Sequence, residues 1–168
     1  MDVIFDIDGT LADASHRLHY ITPPLDQFER EKFKKNWDAF LSAEEVVKDT
    51  PILQTWAIME SLLEQGYRMI FITGRPEHQR EATWGWLTDE ECWTRSNCAS
   101  FLLTSADHRL YMRSNGDRRP SSVVKEEGLM RARADGYNPI LVFEDRADDT
   151  AMWRRNGLLC CQVAEGNY

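Results

Sequence analysis

The feature that most constrains the fold is an alternation of short apolar segments with longer amphipathic segments along nearly the whole chain. The apolar segments are short and bounded by Gly, Pro or acidic residues, which favours β-strands. We predict strands at residues 3–7, 67–73, 101–103, 139–143 and 158–163. Helices are predicted at about residues 25–43, from Pro51 to just before Gly66, and at about 77–88, 121–134 and 148–156.

Strands that alternate with helices in this way build a parallel sheet covered on both faces. We therefore expect an α/β fold, a doubly wound, Rossmann-like parallel sheet of about five strands. A length of 168 residues suits one domain of this kind, so residues 1–168 are predicted to form a single domain. At most a small cap is expected, with the candidate lid within residues 13–48.

The composition excludes several classes of protein. Hydrophobic residues make up 42% and charged residues 29% of the chain, which excludes disordered and fibrous proteins. A formal charge of −8 argues against coating long stretches of nucleic acid, but it allows a site that handles one phosphate. The sequence shows neither a signal-peptide pattern nor an apolar run of membrane-spanning length. We therefore expect a cytoplasmic protein that has no membrane partner.

Polar side chains lie at the ends of three of the predicted strands, where a buried apolar strand gives no structural reason for them. These residues are Asp6 and Asp8, Thr73 and Arg75, and Glu144 and Asp145. Carboxylates that crowd one sheet edge repel each other unless one is protonated or a cation lies between them. Mg²⁺, which prefers oxygen ligands, would resolve the crowding. Asp-x-Asp-Gly alone could equally be a turn with side-chain hydrogen bonds. Together with Lys125, the three strand ends favour a phosphate-transfer site.

These motifs, in this order, resemble those of the haloacid dehalogenase superfamily of phosphotransferases. The resemblance is closest to the 3′-phosphatase domain of bacteriophage polynucleotide kinase-phosphatase, and it spans nearly the whole chain. The matching segments are residues 6–11, 73–75, 123–127, 144–146, 152–157 and 162–164. Such a domain would be found in the host cytoplasm if it is phage-encoded.

The resemblance implies specific roles. Asp6 would be the nucleophile that forms an aspartyl-phosphate, and Asp8 would be the general acid and then the base. The implied phosphate-binding residues are Thr73, Gly74, Arg75 and Lys125, and the implied substrate-contacting residues are Arg17 and Arg146. Mg²⁺ would be held by Asp6, the backbone carbonyl of Asp8, Asp145 and Glu144. The substrate would be a 3′-phosphorylated DNA or RNA end or a 3′-nucleotide, whereas protein partners are not indicated.

The chain departs from the family pattern at three positions. Ser121 and Ser122 stand where two acids usually precede the motif lysine, so any carboxylate supporting Lys125 must come from elsewhere. Glu144 replaces the usual Asp. The sequence also contains no phosphate-binding loop of the kinase type, so kinase activity is not expected.

Two other functions fit the same motifs. One is a 5′-phosphatase of mononucleotides, which would need a lid to enclose a small substrate. The other is a non-catalytic phosphate-binding protein, which the intact set of Asp6, Asp8 and Lys125 disfavours. The available lid segments are small, which favours an open site for a polymer end. The stretch from Arg109 to Arg133 carries seven Lys or Arg against three acids and is the candidate contact for strand phosphates, although it could be a solvated face.

The six tryptophans divide into two predicted groups. Four lie on periodic apolar faces and are predicted to be core residues: Trp37, Trp56, Trp84 and Trp153. Trp86 and Trp93 are off-pattern and could stack on a base or pack internally.

Overall fold

The protein is described from a computed structural model, which defines residues 1–88 and 108–166. One sheet of five parallel strands forms the centre, in the order β5-β4-β1-β6-β7. These strands are β1 (Asp2–Phe5), β4 (Arg68–Pro76), β5 (Arg109–Arg113), β6 (Pro139–Glu144) and β7 (Leu159–Gln162). The predicted doubly wound α/β fold is confirmed.

Side chains alternate between the two faces of the sheet, and each face is covered by helices. One face packs against α4 (Leu53–Glu64) and α5 (Arg80–Thr88), which contribute Trp56 and Trp86 to the larger apolar cluster. The other face packs against α6 (Ser121–Ala134) and α7 (Ala147–Arg155). Among the described residues, no helix is both long enough and apolar enough to span a bilayer.

A separate segment lies between β1 and α4, and its two ends pair with each other. β2 (Ala12–Asp13) and β3 (Thr50–Pro51) form this antiparallel pair. Between them the chain forms a 3₁₀ helix and three short helices with their own small apolar cluster. The elements are the 3₁₀ helix Ser15–Tyr20, α1 (Gln27–Lys32), α2 (Trp37–Phe40) and α3 (Ala43–Val46). We name residues 14–49 the insert.

Most of the predicted elements are confirmed, and the bounds of α6 are those predicted. Three predictions were wrong. The single helix predicted at residues 25–43 is divided into α1 and α2. Pro51 belongs to β3 rather than to a helix, and α4 begins at Leu53. The residues of β5 were predicted to be rich in turns, but they form a strand. The strand predicted at residues 101–103 lies outside the described residues.

The tryptophan predictions were partly right. Trp56 and Trp153 are fully buried, and Trp84 packs partly buried against the larger cluster. Trp37 was predicted to be core but is 43% exposed. Trp86 is only 3% exposed and its indole donates to the Asp49 carbonyl, so it cannot stack on a base. Trp93 lies outside the described residues.

Candidate active site

The predicted site residues come together at the carboxyl edge of the central strands. Asp6 follows β1, and its backbone N–H donates to Phe143 of β6 at 3.0 Å, which continues the sheet pairing by one residue. The chain then turns sharply: the Ile7 carbonyl accepts hydrogen bonds from three successive amides, and Gly9 has a φ of 81°. A left-handed conformation of this kind favours glycine. The turn carries Asp8 past the end of the strand and places it beside Asp6.

Lys125 is a buried cation that contacts Asp6. It extends from α6, and its Nζ lies 3.1 Å from Asp6 Oδ1, 2.8 Å from Glu144 Oε2 and 2.8 Å from Asp149 Oδ2. Burial by itself lowers the pKa of Lys125, but the nearby carboxylates of Asp6, Glu144 and Asp149 raise it well above its usual range. The ammonium is therefore retained. Glu144 and Asp149 supply the support that Ser121 and Ser122 lack.

The Glu144 carboxylate accepts hydrogen bonds from four groups of the protein. Its oxygens accept hydrogen bonds from Lys125, from the Trp153 indole at 3.0 Å and from the backbone amides of Asp145 and Arg146. A glutamate reaches this set of donors because its side chain is one methylene longer than aspartate. Glu144 therefore anchors Lys125 and the start of α7.

The carboxylates at this edge outnumber the cation among them. The pKa of Asp6 is well above its usual range. Burial is the largest cause, Lys125 lowers the pKa in part, and the carboxylates of Glu144 and Asp145 raise it further. Asp6, Glu144 and Asp145 are all buried, and each offers one oxygen within 4.8 Å of the others. A compact set of hard oxygen donors with excess negative charge fits a small divalent cation such as Mg²⁺. The residues present are therefore compatible with the Mg²⁺ that haloacid dehalogenase phosphatases generally use.

Asp8 is held by two arginines from different parts of the chain. Arg17 Nη2 lies 2.6 Å from Asp8 Oδ1, and Arg75 contacts both Asp8 oxygens at distances from 2.6 to 3.2 Å. Burial raises the pKa of Asp8, but Arg75 and Arg17 outweigh this effect and hold it well below its usual range. Asp8 is therefore an ionised carboxylate in this arrangement.

Asp49 closes this arrangement into a ring. It accepts from Arg17 Nε at 2.7 Å and Nη2 at 2.6 Å, and from Arg75 Nη2 at 2.7 Å. The side chains of Arg17, Arg75 and Asp49 are all completely buried. Two arginines thus face two aspartates with no net charge, which is the condition under which buried ions are tolerated.

The remaining predicted residues lie around this centre. Thr73 is buried, and its Oγ1 accepts from the Arg75 amide at 3.2 Å. The Gly74 carbonyl accepts from Arg113 Nε at 2.9 Å. Arg75, predicted to bind phosphate, donates hydrogen bonds to Asp8 and Asp49. Arg146 lies at the start of α7, and its Nε is 3.9 Å from Asp149 Oδ2.

Two residues of the site were missed in the sequence. Asp149 lies four residues after Asp145, a helical spacing that could have indicated a shared face. Asp49 has no neighbouring motif, and it reaches the site because β3 returns to β2.

The basic stretch from Arg109 to Arg133 is partly neutralised by its own acids. Arg119 contacts Asp117 at 2.6 Å and Glu127 at 2.6 Å.

A family model decides the assignment of this site. The model of the polynucleotide kinase PNKP phosphatase domain matches residues 33–168. The chain belongs to the PNKP phosphatase family. It is accordingly a hydrolase of the haloacid dehalogenase superfamily. The match begins after Asp6 and Asp8, whose place in the site rests on the geometry given above.

Solved structures of low sequence identity share the fold of this PNKP-family phosphatase. A chain of the Pnkp1/Rnl/Hen1 RNA repair complex superposes with a TM-score of 0.68 at 24% identity, covering 99% of this chain and 43% of that chain. This chain therefore spans less than half the length of that relative. A haloacid dehalogenase-like hydrolase from Streptococcus pneumoniae superposes with a TM-score of 0.60 at 14% identity, covering 95% and 82% of the two chains.

The ring that contains Asp49 gives a direct prediction. Asp49→Asn leaves two buried arginines with one carboxylate, which we expect to cost about 3 kcal/mol of unfolding free energy. Loss of the positions of Arg17 and Arg75 should also lower kcat by about 100-fold. Urea unfolding and initial rates of phosphate release measure the two effects. Glu77→Gln, which disrupts the exposed pair with Arg80, is the matched control and should change neither. Wild-type kcat in Asp49→Asn would show that the ring does not position Asp8.

Proposed function

We propose that this phosphatase removes the 3′-phosphate from a DNA or RNA end, or from a 3′-nucleotide, through an aspartyl-phosphate on Asp6 with Mg²⁺ as cofactor. The observation that carries the proposal is the position of Asp6. It lies next to Asp8, and the Lys125 ammonium is 3.1 Å from the Asp6 carboxylate. This placement occurs in a chain of the PNKP phosphatase family.

The first half of the proposed reaction transfers the phosphoryl group to the protein. An Asp6 oxygen attacks phosphorus, the bond from phosphorus to the 3′-oxygen breaks, and the leaving oxygen takes a proton from Asp8. Lys125 faces the negative charge that spreads over the phosphoryl oxygens, and Thr73 and Gly74 are proposed to bind them. Splitting the hydrolysis into two steps lowers each barrier.

The second half returns the protein to its starting state. Water attacks the phosphorus of the aspartyl-phosphate, Asp8 accepts the proton of that water, and the bond to Asp6 breaks to release inorganic phosphate. The ionised form of Asp8, held by Arg17 and Arg75, suits this base step. The acid step requires Asp8 to carry a proton, so contacts to the two arginines must weaken when substrate is bound.

Mg²⁺ would be held by Asp6, Asp145 and the backbone carbonyl of Asp8, with Glu144 completing the acidic set. When bound, it supplies positive charge that offsets the repulsion between the phosphate and the carboxylates. Without that charge, Asp6 and the phosphate would repel each other. We therefore propose that activity depends on Mg²⁺.

Phosphate release from a panel of substrates tests the proposal. A 3′-phosphorylated oligonucleotide or a 3′-nucleotide should be hydrolysed with Mg²⁺, whereas EDTA should abolish release and added Mg²⁺ should restore it. The panel includes 5′-deoxynucleotides and 2′,3′-cyclic phosphates, and Asp6→Asn prepared in the same way gives the background. Faster hydrolysis of 5′-deoxynucleotides would contradict the proposal and favour a mononucleotide 5′-phosphatase. Full activity in EDTA would contradict the role of Mg²⁺.

A further inference from the structure

A cleft of about 460 Å³ opens between the insert and the start of α7. Residues 21–23 and Lys35 form the wall on the insert, and residues 146–148 and Gly166 form the opposite wall. We name this space the insert cleft. Its volume is within the range of sites that hold small organic molecules, which is about 300–1,000 Å³.

The insert cleft lies beside the proposed catalytic residues. Arg146 directly follows Asp145, and the Gly166 amide donates to the Asp145 carbonyl at 3.1 Å. A side chain at Gly166 would collide with the Asp145 carboxylate, so the C-terminal wall comes close to the acidic set. On the other wall, Ile21 follows the 3₁₀ helix that carries Arg17 onto Asp8. A molecule whose phosphate reaches Asp6 would therefore extend into this cleft.

The walls of the cleft carry one cation each. Lys35 is exposed, lies 5.4 Å from the Trp37 ring and forms no ion pair with any residue of 1–88 or 108–166. The Arg146 side chain is 28% exposed on the opposite wall, where Asp148 is the one acid among the lining residues. Asp145 and Asp149 lie near Arg146 as well, so the positive charge of the cleft is concentrated on the Lys35 wall, where an anionic group is favoured.

We infer that the insert cleft binds the terminal nucleoside of the substrate and that Lys35 binds the phosphate on its 5′ side. This inference rests on the proposed function. With the 3′-phosphate at Asp6, the attached sugar and base occupy the neighbouring space. The next phosphate is then on the side of the sugar away from Asp145, where Lys35 provides the positive charge. Lys35 would thus distinguish a strand end from a nucleoside that lacks a 5′-phosphate.

Two nucleotides that differ by one phosphate test this inference. Thymidine 3′,5′-bisphosphate carries the 5′-phosphate that Lys35 would bind, whereas thymidine 3′-monophosphate lacks it. Lys35→Ala should raise KM for the bisphosphate about fivefold and leave KM for the monophosphate within about twofold. Lys35→Arg, which keeps the charge, should retain the wild-type KM for both. Lys34→Ala removes the exposed neighbouring lysine that does not line the cleft, and it should change neither value.

The outcomes separate this inference from the proposed function. If wild-type protein releases the 3′-phosphate but Lys35→Ala changes KM for both nucleotides equally, or no more than Lys34→Ala does, Lys35 does not bind the 5′-phosphate. The inference then fails while the proposed function stands. If the wild-type protein releases phosphate from neither nucleotide but does so from a 3′-phosphorylated oligonucleotide, the insert cleft does not bind a single terminal nucleotide and the inference fails alone. If it releases phosphate from none of the three, the proposed function fails and the inference fails with it.

Discussion

Asp6→Asn is expected to lower the rate of phosphate release by at least about 10⁴-fold, since the amide cannot serve as the nucleophile. The substitution keeps the size and shape of the side chain. It also removes one of the three carboxylates that contact Lys125, which are those of Asp6, Glu144 and Asp149. The free energy of unfolding should therefore stay the same or rise, and a urea unfolding curve distinguishes loss of the nucleophile from loss of the fold.

Asp8→Asn is the matched comparison for the nucleophile. With p-nitrophenyl phosphate the leaving group needs no proton, so Asp8→Asn should still form the aspartyl-phosphate. Breakdown of that intermediate should slow by about 10²–10⁴-fold, because no base takes the proton of the attacking water. Rapid quenching and detection of phosphorylated protein measure both steps. Phosphorylated protein in Asp6→Asn, or phosphate release from Asp6→Asn at the wild-type rate, would assign the nucleophile elsewhere.

Lys125→Met is expected to be the most destabilising change in the site. Methionine has a similar length, but it leaves Asp6, Glu144 and Asp149 buried without their shared ammonium. Removing one partner from a buried ionic group costs about 3–5 kcal/mol of unfolding free energy. The rate of phosphate release should fall by about 10³-fold, since the proposed mechanism places the Lys125 ammonium against the phosphoryl oxygens. Urea unfolding and initial rates give the two numbers.

Mg²⁺ should affect the stability of Lys125→Met and of the wild type differently. A divalent cation bound to the acidic set offsets part of the repulsion that Lys125→Met leaves, so saturating Mg²⁺ should stabilise the variant more than the wild type. The matched control is Lys48→Met, which removes an exposed lysine that contacts Glu45 at 2.7 Å, and it should leave stability and rate unchanged. Equal stabilisation of the wild type and Lys125→Met by Mg²⁺ would show that Lys125 does not neutralise the carboxylates that bind the metal.

The central sheet was predictable because its strands are short, apolar and followed by polar residues. The same pattern located Asp6, Thr73 and Glu144 at one edge, since parallel strands end on the same side. The edge strand β5 escaped prediction because it begins and ends with arginine and has only three buried residues, Leu110, Tyr111 and Met112. Because this apolar run is short and flanked by basic residues, it does not show the periodicity of a strand.

The insert was harder to predict because local hydrogen bonds oppose its apolar periodicity. Asp26 and Asn36 each accept a hydrogen bond from a backbone amide three residues later, and each starts its own short helix. Only part of the apolar face predicted to unite residues 25–43 is buried: Phe40 is in the small apolar cluster, whereas Phe28 is 68% and Trp37 43% exposed. Asp49 was not identifiable from the sequence for a related reason. Its neighbours depend on where the chain returns, and that position follows from the pairing of β3 with β2.

The pairing of β2 with β3 also determines where the protein can change during evolution. Asp13 pairs with Thr50, so the two ends of the insert lie next to each other. Arg17 and Asp49, which hold Asp8, both lie close to that point, whereas Lys35 lies near the middle of the insert. Substitutions near Lys35, which makes no contact with the ring around Asp8, can therefore alter what enters the cleft while that ring is preserved. Substrate preference and catalytic machinery can diverge at separate positions of one short segment.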